Sequence, residues 1–86
     1  MTKFEHLEFE PYLDGNVARV QFPNGYGASV VCHDHSYGGK EGLYELAVMK
    51  GDEICYDTPI TDDVMGWLYP ADVTEILSKI EHLSPT

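Results

Sequence analysis

Cys32-His33-Asp34-His35 places four metal-ligating residue types in four consecutive positions. Thiolate and imidazole together suit zinc, which takes four such ligands in a closed structural site and three in an open catalytic one. The spacing works against that chemistry. In an extended chain His33 and His35 project to one side while Cys32 and Asp34 project to the other, so at most two of the four converge on one ion. Completing the shell would need His6, Cys55 or Asp57. His33 and His35 are candidate ligands without a site, and no metal or cofactor is assigned. The competing reading is a strand that ends here and runs into a polar turn through Ser36-Tyr37-Gly38-Gly39.

Other chemistries fail on the same ground. Gly25-x-Gly27 needs a glycine at position 30 to complete a dinucleotide-binding fingerprint, and Val30 stands there. Gly39-Lys40 lacks the hydroxyl residue that follows the lysine of a phosphate-binding loop, and Asp34 occupies the place of its upstream glycine. No nucleophile motif surrounds Ser29 or Ser36. Asp57, Asp62 and Asp63 lack the regular acceptor spacing of a calcium loop. No catalytic residue emerges, and the expectation is a protein that is not an enzyme.

The elements that must position these residues are clearer. Val17 to Phe22 alternates, with Ala18, Val20 and Phe22 on one face and Val17, Arg19 and Gln21 on the other, the period of a strand. Leu7 to Glu10 alternates too, and Asp14-Gly15-Asn16 is turn chemistry between the two. Pro23-Asn24-Gly25 marks the next turn, and Ala28 to His33 a further strand. Leu43 to Met49 continues the pattern, placing Tyr44, Leu46 and Val48 together. A three-residue turn over Lys50-Gly51-Asp52 would keep Ile54 and Tyr56 on that same face. Asp57-Thr58-Pro59 stops the last strand. Thr61-Asp62-Asp63 has the composition of a helix start. Val73, Ile76, Leu77, Ile80 and Leu83 recur at helical spacing, with Asp72 and Glu75 early and Lys79 late, as the helix dipole prefers. The expectation is a single α+β domain over residues 1–86: a four- to five-stranded antiparallel meander with one face covered by a C-terminal helix.

Charge narrows the partners. The 86 residues carry 15 acids against 5 bases, a net charge of −10. Glu5, Glu8, Glu10 and Asp14 form one base-free block, and seven further acids lie between Lys50 and Lys79. Such a field repels nucleic acid and anionic membrane and steers toward a basic protein surface. No apolar run reaches the ~18 residues of a membrane span. Two cysteines without a secretion signal read as reduced thiols in a cytoplasm, with a disulfide between Cys32 and Cys55 disfavoured there. Asp57, Asp62, Asp63, Trp67 and Tyr69 are the candidate partner-binding residues, an acidic stretch beside aromatic side chains of the kind that anchor interfaces.

Four blocks carry a further signal. Asn24-Gly25-Tyr26-Gly27-Ala28-Ser29-Val30-Val31, Ser36-Tyr37-Gly38, Gly42-Leu43-Tyr44-Glu45-Leu46-Ala47-Val48 and Tyr56-Asp57-Thr58-Pro59-Ile60-Thr61-Asp62-Asp63-Val64 follow in this order. Over roughly residues 17 to 83 the chain resembles a family of small acidic proteins encoded by tailed bacteriophages and prophages. The resemblance implies an accessory protein acting inside a bacterial cell, and brings no activity or site residues with it. Together with the charge, it points to a non-enzymatic protein that binds a basic patch on a bacterial host protein. The alternatives are a DNA mimic that blocks a nucleic-acid-binding host enzyme, and a virion or assembly component. Duplex DNA carries one charge per ~1.7 Å of axis, a density that 15 acids spread over a compact domain do not reach.

Overall fold

A computed structural model describes residues 2–60 and 64–85. The described residues form six antiparallel strands and one C-terminal helix. The strands are β1 (Glu10–Tyr12), β2 (Gly15–Gln21), β3 (Tyr26–Cys32), β4 (Tyr44–Lys50), β5 (Glu53–Ile54) and β6 (Met65–Leu68), followed by helix α1 (Pro70–Glu81). β1 to β5 run as a meander, and β6 pairs with β4 beside β5. The architecture is the α+β sheet-and-helix that periodicity predicts, with a sixth strand added.

Register explains the two faces. Ala18 pairs with Val30 and Val30 with Leu46, while Ala28 pairs with both Val20 and Val48. These even-numbered residues share one face by the alternation of strand side chains. Val73, Ile76, Leu77 and Ile80 of α1 complete the core above them. The helix starts at Pro70, whose missing N–H costs nothing in the first turn. The backbone amide of Tyr69 donates to Asp72 Oδ2 at 2.9 Å, closing the helix start. At the far end, Asn24 Nδ2 donates to the carbonyls of Ile80, Glu81 and Leu83 at 2.9 to 3.2 Å. Asn24 Oδ1 accepts the amide of Tyr26. One turn side chain thus ties the β2–β3 hairpin to the last carbonyls of the helix, groups that lack intrahelical donors. A 3₁₀ turn over Phe4–His6 joins this layer. There the Phe4 amide donates to Thr74 Oγ1 at 2.9 Å, and the rings of Phe4 and Phe9 pack on Tyr44.

Two expectations need correction, besides the first hairpin, whose leading strand is Glu10–Tyr12 rather than the segment around Leu7–Glu10 and whose turn is Leu13-Asp14. The turn after β4 has two residues: Lys50 pairs with Glu53 and Met49 with Ile54 across Gly51-Asp52, with Gly51 at φ 64. One residue fewer in the loop inverts every side chain beyond it. Ile54 and Tyr56 are therefore exposed, and Cys55, whose amide donates to the Val48 carbonyl, is buried in their place. Second, residues 65–68 form a strand where none is expected. The helix start expected at Thr61-Asp62-Asp63 lies outside the described residues.

Candidate interaction surface

β6 owes its shape to an extra residue. Tyr44 pairs with Leu68 and Leu46 with Met65, so two steps along β4 are matched by three along β6, the definition of a β-bulge. Met65 and Leu68 both pack against the core, which residues three apart on a regular strand cannot do. The surplus is absorbed at Trp67, whose φ of 59° is left-handed. For a bulky residue that conformation costs roughly 1–2 kcal/mol.

The surroundings hold it there. The Trp67 amide donates to the Tyr37 carbonyl at 3.1 Å. A side chain at Gly66 would collide with Cβ of Tyr37, and one at Gly38 would come within 2.9 Å of Trp67 Cα. Two glycines thus let segments 37–38 and 66–67 meet backbone to backbone. The outcome is an aromatic edge: Tyr37 is 61%, Trp67 60% and Tyr69 62% exposed.

Carboxylates stand beside these rings. Glu45 Oε1 accepts the Tyr37 amide at 3.1 Å and Asp72 Oδ2 accepts the Tyr69 amide. Each acid thereby fixes the backbone of an exposed aromatic residue and brings negative charge next to it. Such a pairing suits a cationic side chain, which gains from both the ring face and the carboxylate.

The residues singled out from sequence divide accordingly. Trp67 and Tyr69 lie on this edge. Asp57 follows β5 and accepts a hydrogen bond from the buried Cys55 thiol at 3.0 Å. That bond, helped by Lys50, holds the Asp57 carboxyl below the ordinary carboxylate range. Its tie is to the core rather than to the aromatic edge. Asp62 and Asp63 are outside the described residues. Tyr37 and Glu45 were not foreseen as site residues, because only the bulge and the 37–38 contact bring them to Trp67.

The histidine pair sits just past the C-terminal end of β3, as turn chemistry. His35 N donates to His33 Nδ1 at 3.1 Å, and the His33 amide donates to Ser36 Oγ at 3.0 Å. The Asp34 amide donates to Asp14 Oδ1 at 3.0 Å, a bond that lowers the Asp14 carboxyl pKa. The two imidazole centroids are 6.3 Å apart, and His33 lies edge-on to Tyr12. With Nδ1 of His33 already accepting, one ring nitrogen remains for any ion. Among the described residues no group of three His, Cys, Asp or Glu is placed to hold a metal. Cys32 and Cys55 are both free thiols.

The sheet face away from α1 carries a third feature. Arg19, Ser29, Val31, Glu45, Ala47 and Met49 line a hollow of about 260 Å³. Among the described residues, the Arg19 guanidinium has neither an ion pair nor a hydrogen bond. Also among the described residues, no helix is long and apolar enough to cross a membrane. Comparison with protein-family models, with curated proteins and with solved structures returned no match.

Proposed function

We propose that this chain is a non-enzymatic binding module that docks onto a basic surface of a bacterial host protein. Tyr37, Trp67 and Tyr69 are the anchors, with Glu45 and Asp72 beside them. One observation carries the reading. A tryptophan is held in solvent by a left-handed bulge, although the same strand sends Met65 and Leu68 into the core. Bulges at sheet edges re-aim side chains and belong to functional positions. Exposed tryptophan and tyrosine are the residue types that dominate interface energetics. The net charge of −10 supplies long-range steering toward basic patches. The likeness to phage- and prophage-encoded proteins supports a partner inside a bacterial cell.

The test is retention of bacterial lysate proteins on the immobilised chain, run in parallel with Trp67→Asn. Asparagine tolerates a left-handed backbone, so the variant removes the ring without the strain. Expected is a retained basic protein that elutes with salt and is lost on the variant. Equal retention by Trp67→Asn, or a retained set of acidic proteins, overturns the proposal.

A further inference from the structure

We infer that the open sheet face binds a second copy of this chain, through a two-fold contact in which Arg19 of each copy meets Glu45 of the other. The inference shares Glu45 with the aromatic edge, rests otherwise on the opposite sheet face, and adds an oligomeric state.

The outward face of a two-layer antiparallel sheet normally turns polar residues to water. Here Val31, Met49 and Ile54 lie on it by register and reach solvent, beside the buried Val17 and Ala47, and only Arg19 and Glu45 carry charge across its central strands β2 to β4. Any occupant must satisfy both. A basic partner leaves Arg19 opposed by like charge. A partner offering only carboxylates leaves Glu45 opposed by like charge. A second copy offers a carboxylate for the guanidinium and a guanidinium for the carboxylate.

Register makes the pairing geometrically possible. Arg19 pairs with Ser29 and Ser29 with Ala47, while Val17 pairs with Val31 and Val31 with Glu45. The two charges therefore stand on opposite flanks of β3. Strand spacing and rise put them about 10 Å apart across the sheet and about 7 Å along it. In a two-fold contact, residue i meets j wherever j meets i, so both Arg–Glu pairs form together around Val31, Ala47 and Ser29. The axis that achieves this crosses the two sets of strands at about 70°, near the orthogonal class of sheet packing. Glu45 uses Oε1 for the Tyr37 amide, and its second oxygen remains for the partner arginine.

Edge-to-edge growth is blocked, which leaves the face. β1 presents Glu10-Pro11-Tyr12 at one edge, where proline offers no donor. The other edge is made of the two-residue β5 and the bulged β6.

Sedimentation of the full chain from about 1 µM to about 1 mM covers affinities down to the millimolar range. Salt of about 0.15 M limits repulsion between the acidic copies to a screening length of about 8 Å. The mass should rise from 9.7 kDa toward twice that value. Arg19→Glu should weaken dimerisation about tenfold or more, and Arg19→Glu with Glu45→Arg should recover most of the loss. Because Glu45 also holds Tyr37, Glu45→Gln serves as the second probe: it keeps an oxygen for that amide and should weaken the dimer without altering the circular dichroism. A mass of 9.7 kDa at every concentration overturns the inference. So does a dimer indifferent to Arg19→Glu and Glu45→Gln.

Discussion

Val30 and Val31 are neighbours on β3 that face opposite sides of the sheet. Val30 looks into the layer under α1 and is wholly inaccessible, while Val31 lines the open hollow. The same alternation continues on β2 and β4, so the sheet has one apolar face under the helix and one mixed face that carries Arg19, Gln21, Ser29 and Glu45 among its apolar residues. What separates them is the amphipathic helix and the N-terminal segment, which close over the even-numbered residues alone. Energy should therefore be concentrated on one side and surface chemistry on the other.

The sharpest way to break that contrast is to excavate the roofed face. Leu46→Ala and Leu77→Ala remove wholly buried side chains from the centre of the layer. Each should cost about 3 kcal/mol or more, a large share of the ~5–15 kcal/mol that holds a domain together. Val30→Ala should cost about 2 kcal/mol and Val31→Ala below about 1 kcal/mol, because only the first leaves an uncollapsible void. Urea unfolding of dilute protein measures the pair. Equal losses at Val30 and Val31 would mean that the outer face is roofed as well.

Asn24 tests the fastening of the roof. Its side-chain amide serves three carbonyls, those of Ile80 and Glu81 in the last turn of the helix and of Leu83 just beyond it. Asn24→Ala should cost about 1–3 kcal/mol by removing the donor to the Glu81 and Leu83 carbonyls and leaving Ile80 with the Leu83 amide. Asn24→Asp should cost more, since a carboxylate then faces carbonyl oxygens at the negative end of the helix dipole. Circular dichroism melts of the two variants rank them directly.

How far this was legible from sequence depends on whether one period ruled a segment. In β2 to β4 the alternation alone assigns Ala18, Val30 and Leu46 to one face, although burial extends to Val17 and Ala47 of the other face as well. The helix was legible for the same reason. β6 was not: Met65 and Leu68 share a face only because Trp67 absorbs a residue, and a bulge erases the period-two signature it interrupts. Ile54 was misplaced because a turn of two residues and a turn of three read alike in Lys50-Gly51-Asp52, yet they invert the side chains that follow. Of the candidate site, Trp67 and Tyr69 were named from residue type. Their neighbours Tyr37 and Glu45 depend on a contact between chain segments some 30 residues apart, which no local pattern encodes.

The aromatic edge should respond in the opposite sense to the core. Trp67→Asn removes the largest side chain in the molecule, yet stability should change by less than about 1 kcal/mol, because the ring is exposed and asparagine accepts the backbone more readily. Gly66→Ala should lower stability instead, since its methyl group would strike Tyr37. A large loss at Trp67→Asn would show that the ring packs rather than waits for a partner.

Acid should produce the smallest effect, and it divides between the same two faces. Asp57 takes the thiol hydrogen of Cys55, a residue of the roofed core, while Asp14 takes the Asp34 amide at the end of the sheet where Tyr12 and His33 border the open face. Both carboxyls are held below their ordinary range by those hydrogen bonds, so the folded chain binds these protons less readily than the unfolded chain. Their contribution is complete at neutral pH, where both states are ionised, and is lost as pH falls through the depressed folded values. Both groups are exposed, so the loss should be a shallow slope rather than a collapse. Asp14→Asn and Asp57→Asn keep an oxygen that accepts the same hydrogen bond and remove the titration. Each should flatten the decline of the melting temperature below about pH 4. Because each variant can flatten only its own share, the two together apportion acid sensitivity between the roofed side and the open one.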